Sequence, residues 1–401
     1  MENKPSVVMM GLGYIGLPTA ALIASKGLKV TGIDIRQSVV NTINKGEIHI
    51  VEPDLDGLVH KVVKEGYLKA STRPIASDVY LIAVPTPFKG NYEPDLSYVA
   101  SAVTSITPTL KKGALVILES TSPVGTTRKM EKLIYEERPE LKGNISLAYC
   151  PERVLPGNIL HELKQNDRAI GGIDEASTQK AISFYKHFVV GTLHPTNAKT
   201  AEMVKLVENA SRDNQIAFAN ELSIICDKAG INVWDMIALA NKHPRVNILN
   251  PGTGVGGHCI AVDPWFIVSE FPEESHLIRK SRETNTFKTE WVIEKIKNKA
   301  LSFKIENDRD PIIACMGLAF KPDIDDLRES PALLVTKTLI NDDFEVLAVE
   351  PNVKEYIEFD IISANDAIKK ADIVVFLVKH NEFINIDIKD KIVLDFVNSL
   401  D

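Results

Sequence analysis

The segment Gly11-Leu12-Gly13-Tyr14-Ile15-Gly16 stands directly after the apolar run Val7-Val8-Met9-Met10 and directly before a helical pattern, Leu17 to Lys26, that stops at Gly27. Three glycines at that spacing between a strand and a helix admit few folds. The first makes a tight turn, the second lets backbone N–H groups approach a pyrophosphate, and the third brings helix and strand close together. The next strand, Lys29 to Ile35, carries Asp34 near its end, where an acid takes the ribose 2′-hydroxyl of NAD and repels the extra phosphate of NADP. Arg36 keeps NADP open as the alternative. A turn of purely structural glycines is the competing reading, and the placement of Asp34 counts against it.

Further apolar runs at Val79–Val84, Leu115–Leu118 and Ile145–Tyr149 alternate with helical segments, the pattern of a parallel sheet covered on both faces. From Ala201 to Ala229 no Gly or Pro interrupts the chain, which predicts one long helix, a connector and a dimer surface. The pattern then restarts: Ile312–Gly317 echoes Val7–Gly11, and the strand Phe344–Val349, followed by Glu350, echoes the one closing on Asp34. Ala319 and Phe320 stand where a second glycine fingerprint would be, so this sheet is expected to bind something other than NAD. The fold expected is α/β, with two Rossmann-like doubly wound parallel-sheet domains joined by a long central helix. Its boundaries are an NAD-binding domain at 1–197, a helical dimerisation domain at 198–305 and a second Rossmann-like domain at 306–401.

Several segments sit where open α/β sheets bind ligands, beyond the C-terminal ends of strands. Pro85-Thr86-Pro87 and the hydroxyl-rich Glu119 to Thr127, which includes Thr121, are two; a bland turn and a helix cap are their alternatives. Cys150-Pro151-Glu152-Arg153 offers a carboxylate as base, or is an ordinary turn. Lys205, Asn209 and Arg212 share one face of the long helix, which by itself could equally be a solvated stripe. In Gly254-Val255-Gly256-Gly257-His258-Cys259 the glycines clear space beside a cysteine, and Asp263 follows. A buried structural cysteine is the alternative. A thiolate beside an NAD site could instead trap an aldehyde and let a second hydride leave. His243, Arg245, Lys321 and Arg328 are candidate phosphate clamps, or isolated surface charges.

A net charge of −8 argues against a nucleic-acid or anionic-membrane surface. Four scattered cysteines suggest neither a zinc site nor a disulfide framework, so no metal is expected. The N-terminus leaves no room for a signal peptide, and no apolar stretch reaches membrane-span length, so the cytoplasm is the expected location.

Taken in order, these segments resemble the UDP-glucose/GDP-mannose 6-dehydrogenase family over nearly the whole chain. They include Phe320-Lys321-Pro322 through Arg328-Glu329-Ser330, while Glu47–Asp54 and His258–Phe266 look particularly like the N-acetylmannosamine subgroup. The resemblance implies NAD as cofactor, a UDP-sugar as substrate, and a homodimer or higher homo-oligomer. It further implies a four-electron oxidation of UDP-N-acetylmannosamine to its uronate, for surface polysaccharide precursors. It makes Cys259 the nucleophile, gives Lys205 and Asn209 the oxyanion, has Glu152 activate the hydrolytic water and has Asp263 order water near the sugar. It puts Gly11, Gly13, Tyr14, Ile15, Gly16, Asp34, Thr86, Thr121, Thr127 and Arg328 at the cofactor. Arg153, Val154, Arg212, His243, Arg245, Gly256, Phe320 and Lys321 would line the substrate site with Lys205 and Asn209, some from a neighbouring subunit.

Physical chemistry bears on these implied roles. A protonated Lys205 beside Cys259 would favour the thiolate and neutralise charge developing on the sugar oxygen, but it cannot be the base while charged. Either burial deprotonates it in part, or a water chain at Asp263 or Glu152 takes the first proton. Val262 stands where the broader family often has Lys, which argues against UDP-glucose, and the finish Asp395 to Asp401 departs from the family's pattern. UDP-N-acetylglucosamine and UDP-glucose are alternative substrates. A single-step hydroxyacid dehydrogenase needs no cysteine, and a non-catalytic nucleotide-sugar sensor would bind without producing NADH.

Overall fold

A computed structural model describes residues 4–90, 92–154 and 157–400; the first three residues, read above for a leader, and Asp401 lie outside these. The first-half strands are β1 (Val7–Met10), β2 (Val30–Ile33), β3 (Leu68–Ser71), β4 (Val79–Ile82), a small antiparallel ribbon β5 (Phe88–Lys89) and β6 (Glu93–Pro94), β7 (Leu115–Leu118), β8 (Ser146–Tyr149), β9 (Arg168–Gly172) and β10 (Leu193–Asn197). All but the ribbon join one sheet, in the order β10-β9-β8-β7-β4-β1-β2-β3. The chain runs outward from β1 to β2 and β3 on one side and returns at β4 on the other. The strand order therefore reverses between β1 and β4, and the crevice beyond their C-terminal ends is the expected ligand position. Helices pack on both faces, with cores around Met9, Leu17, Ile23 and Leu81 on one side and Val8, Tyr80, Val103 and Met130 on the other.

One pairing departs from the all-parallel expectation: β8 and β9 are antiparallel, with Ala148 opposite Gly172. Neither β9 nor β10 reads as a continuous apolar run, because these strands lie at one end of the sheet and include Arg168, two glycines, His194 and Pro195.

The chain divides into two compact units after Val207. In the second, β11 (Ile312–Met316), β12 (Glu345–Val349), β13 (Ile373–Phe376) and β14 (Ile392–Asp395) form a parallel sheet in the order β12-β11-β13-β14. The long central helix spans Ala198–Ala229, 32 residues or about 48 Å. A second helix of equal length, His276–Asn307, was not expected from sequence. Its C-terminal half buries Val292, Ile296 and Ala300 against Ile313, Cys315 and Val335. Its N-terminal half instead buries Ser281, Arg282, Asn285, Lys288 and Thr289, so it shows no apolar period.

At the end of β12, Glu350 ties down the turn that follows β11. Its Oε2 accepts the backbone N–H groups of Leu318 and Ala319 at 2.8 and 2.9 Å, at the turn that follows β11. Its other neighbour is buried His380, whose Nδ1 accepts the N–H of Asp323, leaving Nε2 to donate to Glu350 at 3.1 Å. Burial alone would raise the Glu350 carboxyl, but His380 and the backbone donors hold it at about 2. The N–H groups of Leu318 and Ala319 at this turn are thus taken by the protein's own carboxylate. Among the described residues no helix is long and apolar enough to cross a membrane.

Candidate active site

The glycine loop after β1 has the geometry that its three glycines require. Gly11 has φ 88°, and a Cβ there would stand 2.5 Å from Ala83 O; at Gly16 a Cβ would stand 1.9 Å from Gly11 O. Among the described residues nothing lies within 4 Å of the Cβ position of Gly13, so this is the open side of the turn. Tyr14 is exposed and Ile15 half-buried beside it. Asp34 is buried at the adjoining strand end and accepts the N–H of Leu12 at 3.4 Å. Burial would raise its carboxyl, but hydrogen bonds from the side chain and backbone of Arg36 hold it below its ordinary value. The Arg36 charge is therefore already engaged by Asp34, with Nε 3.2 Å from Oδ1.

Thr86 and Thr121 are half-buried past the ends of β4 and β7. Thr127 departs from expectation. It is wholly buried, and both its N–H and its hydroxyl donate to Glu202 Oε1, at 2.8 and 2.7 Å. Glu202 also accepts the N–H of Gly125, so a carboxylate from the long helix caps helix Thr126–Glu137. A hydroxyl committed to Glu202 has no proton left for a cofactor.

Glu152, at the end of β8, is buried and has both oxygens engaged. Oε1 accepts the backbone N–H of Arg153 at 2.7 Å, and Oε2 pairs with the guanidinium of buried Arg168 at 3.0 Å. The Arg153 side chain reaches the carbonyl of Asp167, and Val154 packs on the sheet core.

On the long helix, Lys205 and Asn209 are half-buried, one turn apart, and Arg212 is exposed. In the second unit Asn209 Nδ2 donates to Asp263 Oδ2 at 2.5 Å. Asp263 is buried at the start of helix Asp263–Glu270, and its N–H returns to the carbonyl of Cys259 at 2.8 Å. Three expected residues, Asn209, Cys259 and Asp263, are thus joined through two hydrogen bonds. Cys259 is half-buried, whereas Cys150, Cys226 and Cys315 are buried.

The glycines before Cys259 serve a purpose other than the one expected. They do not clear a space: a Cβ at Gly256 would stand 2.5 Å from Glu329 O and 2.8 Å from Phe320 Cβ, and one at Gly257 2.8 Å from the Phe320 ring. They let the cysteine loop lie against the segment 320–331, where the Gly257 N–H donates to Arg328 O. Phe320 is therefore packed on the cysteine loop, while Lys321 and Arg328 are exposed, Arg328 being paired with Asp326. His243 and Arg245 are exposed in the loop after helix Val233–Ala240.

Sequence profiles of one family match successive parts of the chain. The UDP-glucose/GDP-mannose dehydrogenase NAD binding domain covers residues 5–189, the central domain 199–287 and the UDP binding domain 314–401. The chain belongs to the UDP-glucose/GDP-mannose dehydrogenase family. Among its relatives, a UDP-N-acetyl-D-mannosamine dehydrogenase of Campylobacter jejuni is 55% identical, covering 98% of this chain and 99% of the relative. An NDP-N-acetyl-D-galactosaminuronic acid dehydrogenase of Ralstonia nicotianae is 51% identical, covering 97% and 95%. A solved UDP-D-ManNAc dehydrogenase from Pyrococcus horikoshii superposes with a TM-score of 0.90 at 40% identity, covering 99% and 96%.

As a member of this family the protein is an NAD-dependent UDP-sugar dehydrogenase. The cradle fits that cofactor, being open only where a pyrophosphate would approach and ending on an ionised Asp34. Gly13→Ala separates cofactor binding from folding. Its Cβ meets nothing in the protein alone, so stability should change by less than about 1 kcal/mol. A pyrophosphate approaching the turn on this open side would meet it, and NADH affinity should then fall roughly ten- to a hundredfold, equivalent to about 1.4–2.8 kcal/mol. NADH fluorescence titration beside thermal melts reads both; unchanged affinity would move the pyrophosphate elsewhere.

Proposed function

We propose that this enzyme oxidises the 6-hydroxyl of UDP-N-acetyl-D-mannosamine to the carboxylate, consuming two NAD and one water and releasing two NADH, through a thioester on Cys259. The observation that carries this reading is that Cys259 alone of the four cysteines is not buried, and that its backbone is tied to the Asp263–Asn209 pair. The relatives named for this substrate, at 52–55% identity over almost the full chain, support the choice of sugar.

NAD, when bound, accepts one hydride in each of two successive oxidations. This chain's residues do the rest. The alcohol loses its proton to a water chain held by Asp263, and Lys205 and Asn209 stabilise charge on the sugar oxygen at that step and again as the Cys259 thiolate adds to the aldehyde. Hydride loss from the thiohemiacetal leaves the thioester. A water held near Glu152 adds to the thioester carbonyl, its proton passing to Glu152; the C–S bond breaks and Cys259 departs as thiolate. Asp263, fixed by Asn209, orders water at the sugar. A homodimer through the central helix fits this reading. Phe218 and Ile225, seven residues apart on one helical face, are 56% and 54% exposed, an apolar stripe that a second copy would cover.

The test is NADH released per mole of purified UDP-N-acetylmannosamine, with the UDP-linked N-acetylgalactosamine, N-acetylglucosamine and glucose alongside. Two NADH from the first and little from the others supports the reading. The Ralstonia relative's name makes the galacto sugar the second reading. Epimers are separated by a few contacts of about 1–3 kcal/mol each, so a preference of tenfold or more decides between them.

A further inference from the structure

Behind Glu152 lies a buried cluster that the steps above do not use. Arg168 is 2% exposed and spreads its donors inward: Nη1 to Glu152 Oε2, Nη2 to Leu163 O at 3.1 Å, with Cys150 Sγ 3.9 Å from Nη1. Its guanidinium lies over the ring of Tyr185, 5.3 Å from the centroid. The Tyr185 hydroxyl in turn donates to Glu119 Oε1 at 2.6 Å. Glu119 is 3% exposed, and its Oε2 meets no partner among the described residues. Two buried carboxyl groups thus flank one buried arginine, and of these two Glu152 is the one that pairs with it directly.

We propose that Arg168 is the positioning residue for Glu152, fixing the direction and the charge of that carboxylate, and that Tyr185 and Glu119 form the buried seat that tunes Arg168. The inference rests on the reading that Glu152 takes a proton from the hydrolytic water. A second full charge at Glu119 would compete for the same guanidinium, and burial opposes it: the Glu119 carboxyl is pushed up to about 7 by burial, with Arg168 acting against this and Glu152 adding to it. Burial likewise pushes the Cys150 thiol up to about 11, so it stays neutral. The titratable and charged groups that face Glu119 are therefore Arg168, Glu152, Tyr185 and Cys150.

Glu119 and Glu152 share one guanidinium. Below about pH 7 Glu119 is neutral and Arg168 balances Glu152 alone. Above it the ionised Glu119 draws on the same guanidinium's charge while Arg168 still fixes the direction of Glu152, so less positive charge opposes proton transfer from the water and thioester hydrolysis speeds up. Arg168→Lys keeps the charge and loses the two-pronged geometry.

The experiment mixes enzyme, NAD and UDP-sugar rapidly and follows NADH through the first turnover and into the steady state. For Arg168→Lys the first two NADH per subunit should form at nearly the wild-type rate. The steady state should fall about ten- to a hundredfold, a part of what general-base catalysis supplies, with a thioester adduct on Cys259 accumulating by intact mass. A proportional fall of burst and steady state overturns the positioning role. In Glu119→Gln the rise of the hydrolytic rate near pH 7 should vanish while Tyr185→Phe shifts it; its persistence in Glu119→Gln overturns the tuning role. If the wild type forms no adduct on Cys259, the thioester reading fails, and the cluster is read by infrared difference spectra instead. A protonated-carboxyl band that titrates near pH 7, is absent from Glu119→Gln and shifts in Arg168→Lys upholds the seat, and its absence from the wild type overturns it.

Discussion

Replacement of Cys259 by alanine should lower steady-state NADH production by about four orders of magnitude or more, the scale on which deletion of a covalent nucleophile acts in enzymes whose catalytic groups work as a unit. The loss should be of chemistry and not of fold. Cys259 is half-buried in a turn, and its carbonyl, which accepts the N–H groups of Val262 and Asp263, belongs to the backbone and survives the change. Cys259→Ser is the finer probe. An alkoxide is a poorer nucleophile and a poorer leaving group than a thiolate, so the serine variant should stall at an intermediate, visible as at most one rapid NADH per subunit or as an ester adduct. Full turnover to the acid by the serine variant would end the thioester mechanism. UDP-sugar and NADH affinities near wild type would show that the loss lies in the covalent step.

The first sheet was legible in the sequence because its strands are buried on both faces and announce themselves as unbroken apolar runs. Val7–Met10, Val79–Ile82 and Leu115–Leu118 are each buried at every position. Periodicity failed where burial is polar. Helix His276–Asn307 hides Arg282, Asn285 and Lys288, residues that hydrophobic patterns assign to solvent, and β9 begins with an arginine that proves to be at the centre of a buried cluster.

The candidate site divides along similar lines. Features set by backbone geometry could be read directly, since only glycine fits 1.9 Å from the carbonyl of Gly11. Features set by partners could not. Thr127 looked like a cofactor hydroxyl until Glu202, 75 residues on, was found to accept it. Gly256 and Gly257 looked like clearance for a ligand and prove to be clearance for Phe320 and Glu329. In both cases the sequence shows the donor or the gap, and the long-range partner decides its use.

Loss of the Arg282 side chain should cost the second unit about 3–5 kcal/mol, the penalty for leaving a buried charge without its partner. Arg282 Nη1 pairs with Asp213 Oδ1 at 2.7 Å, with Asp213 fully buried and its Oδ2 unpartnered among the described residues. Burial already raises the Asp213 carboxyl, while Arg282 and Asn285 oppose the rise. In Arg282→Met the chief opposing charge is gone, and Asp213 must protonate or remain as an unpaired anion. An acid whose folded pKa is raised binds its proton more readily in the folded state. The deficit should therefore be largest at neutral pH and shrink as the pH falls through the folded value. The effect should also reach the cysteine loop. Asn285 joins Asp213 to Asn220 at 2.9 Å, and Asn220 accepts the N–H of Gly252, seven residues before Cys259. Denaturant unfolding of Arg282→Met at neutral and mildly acidic pH, beside the apolar double variant Asp213→Leu/Arg282→Met, separates the causes. Recovery of most of the stability in the double variant identifies the unpaired charge as the source. A single variant within 1 kcal/mol of wild type would instead mean that water or Asn285 satisfies Asp213 without the arginine.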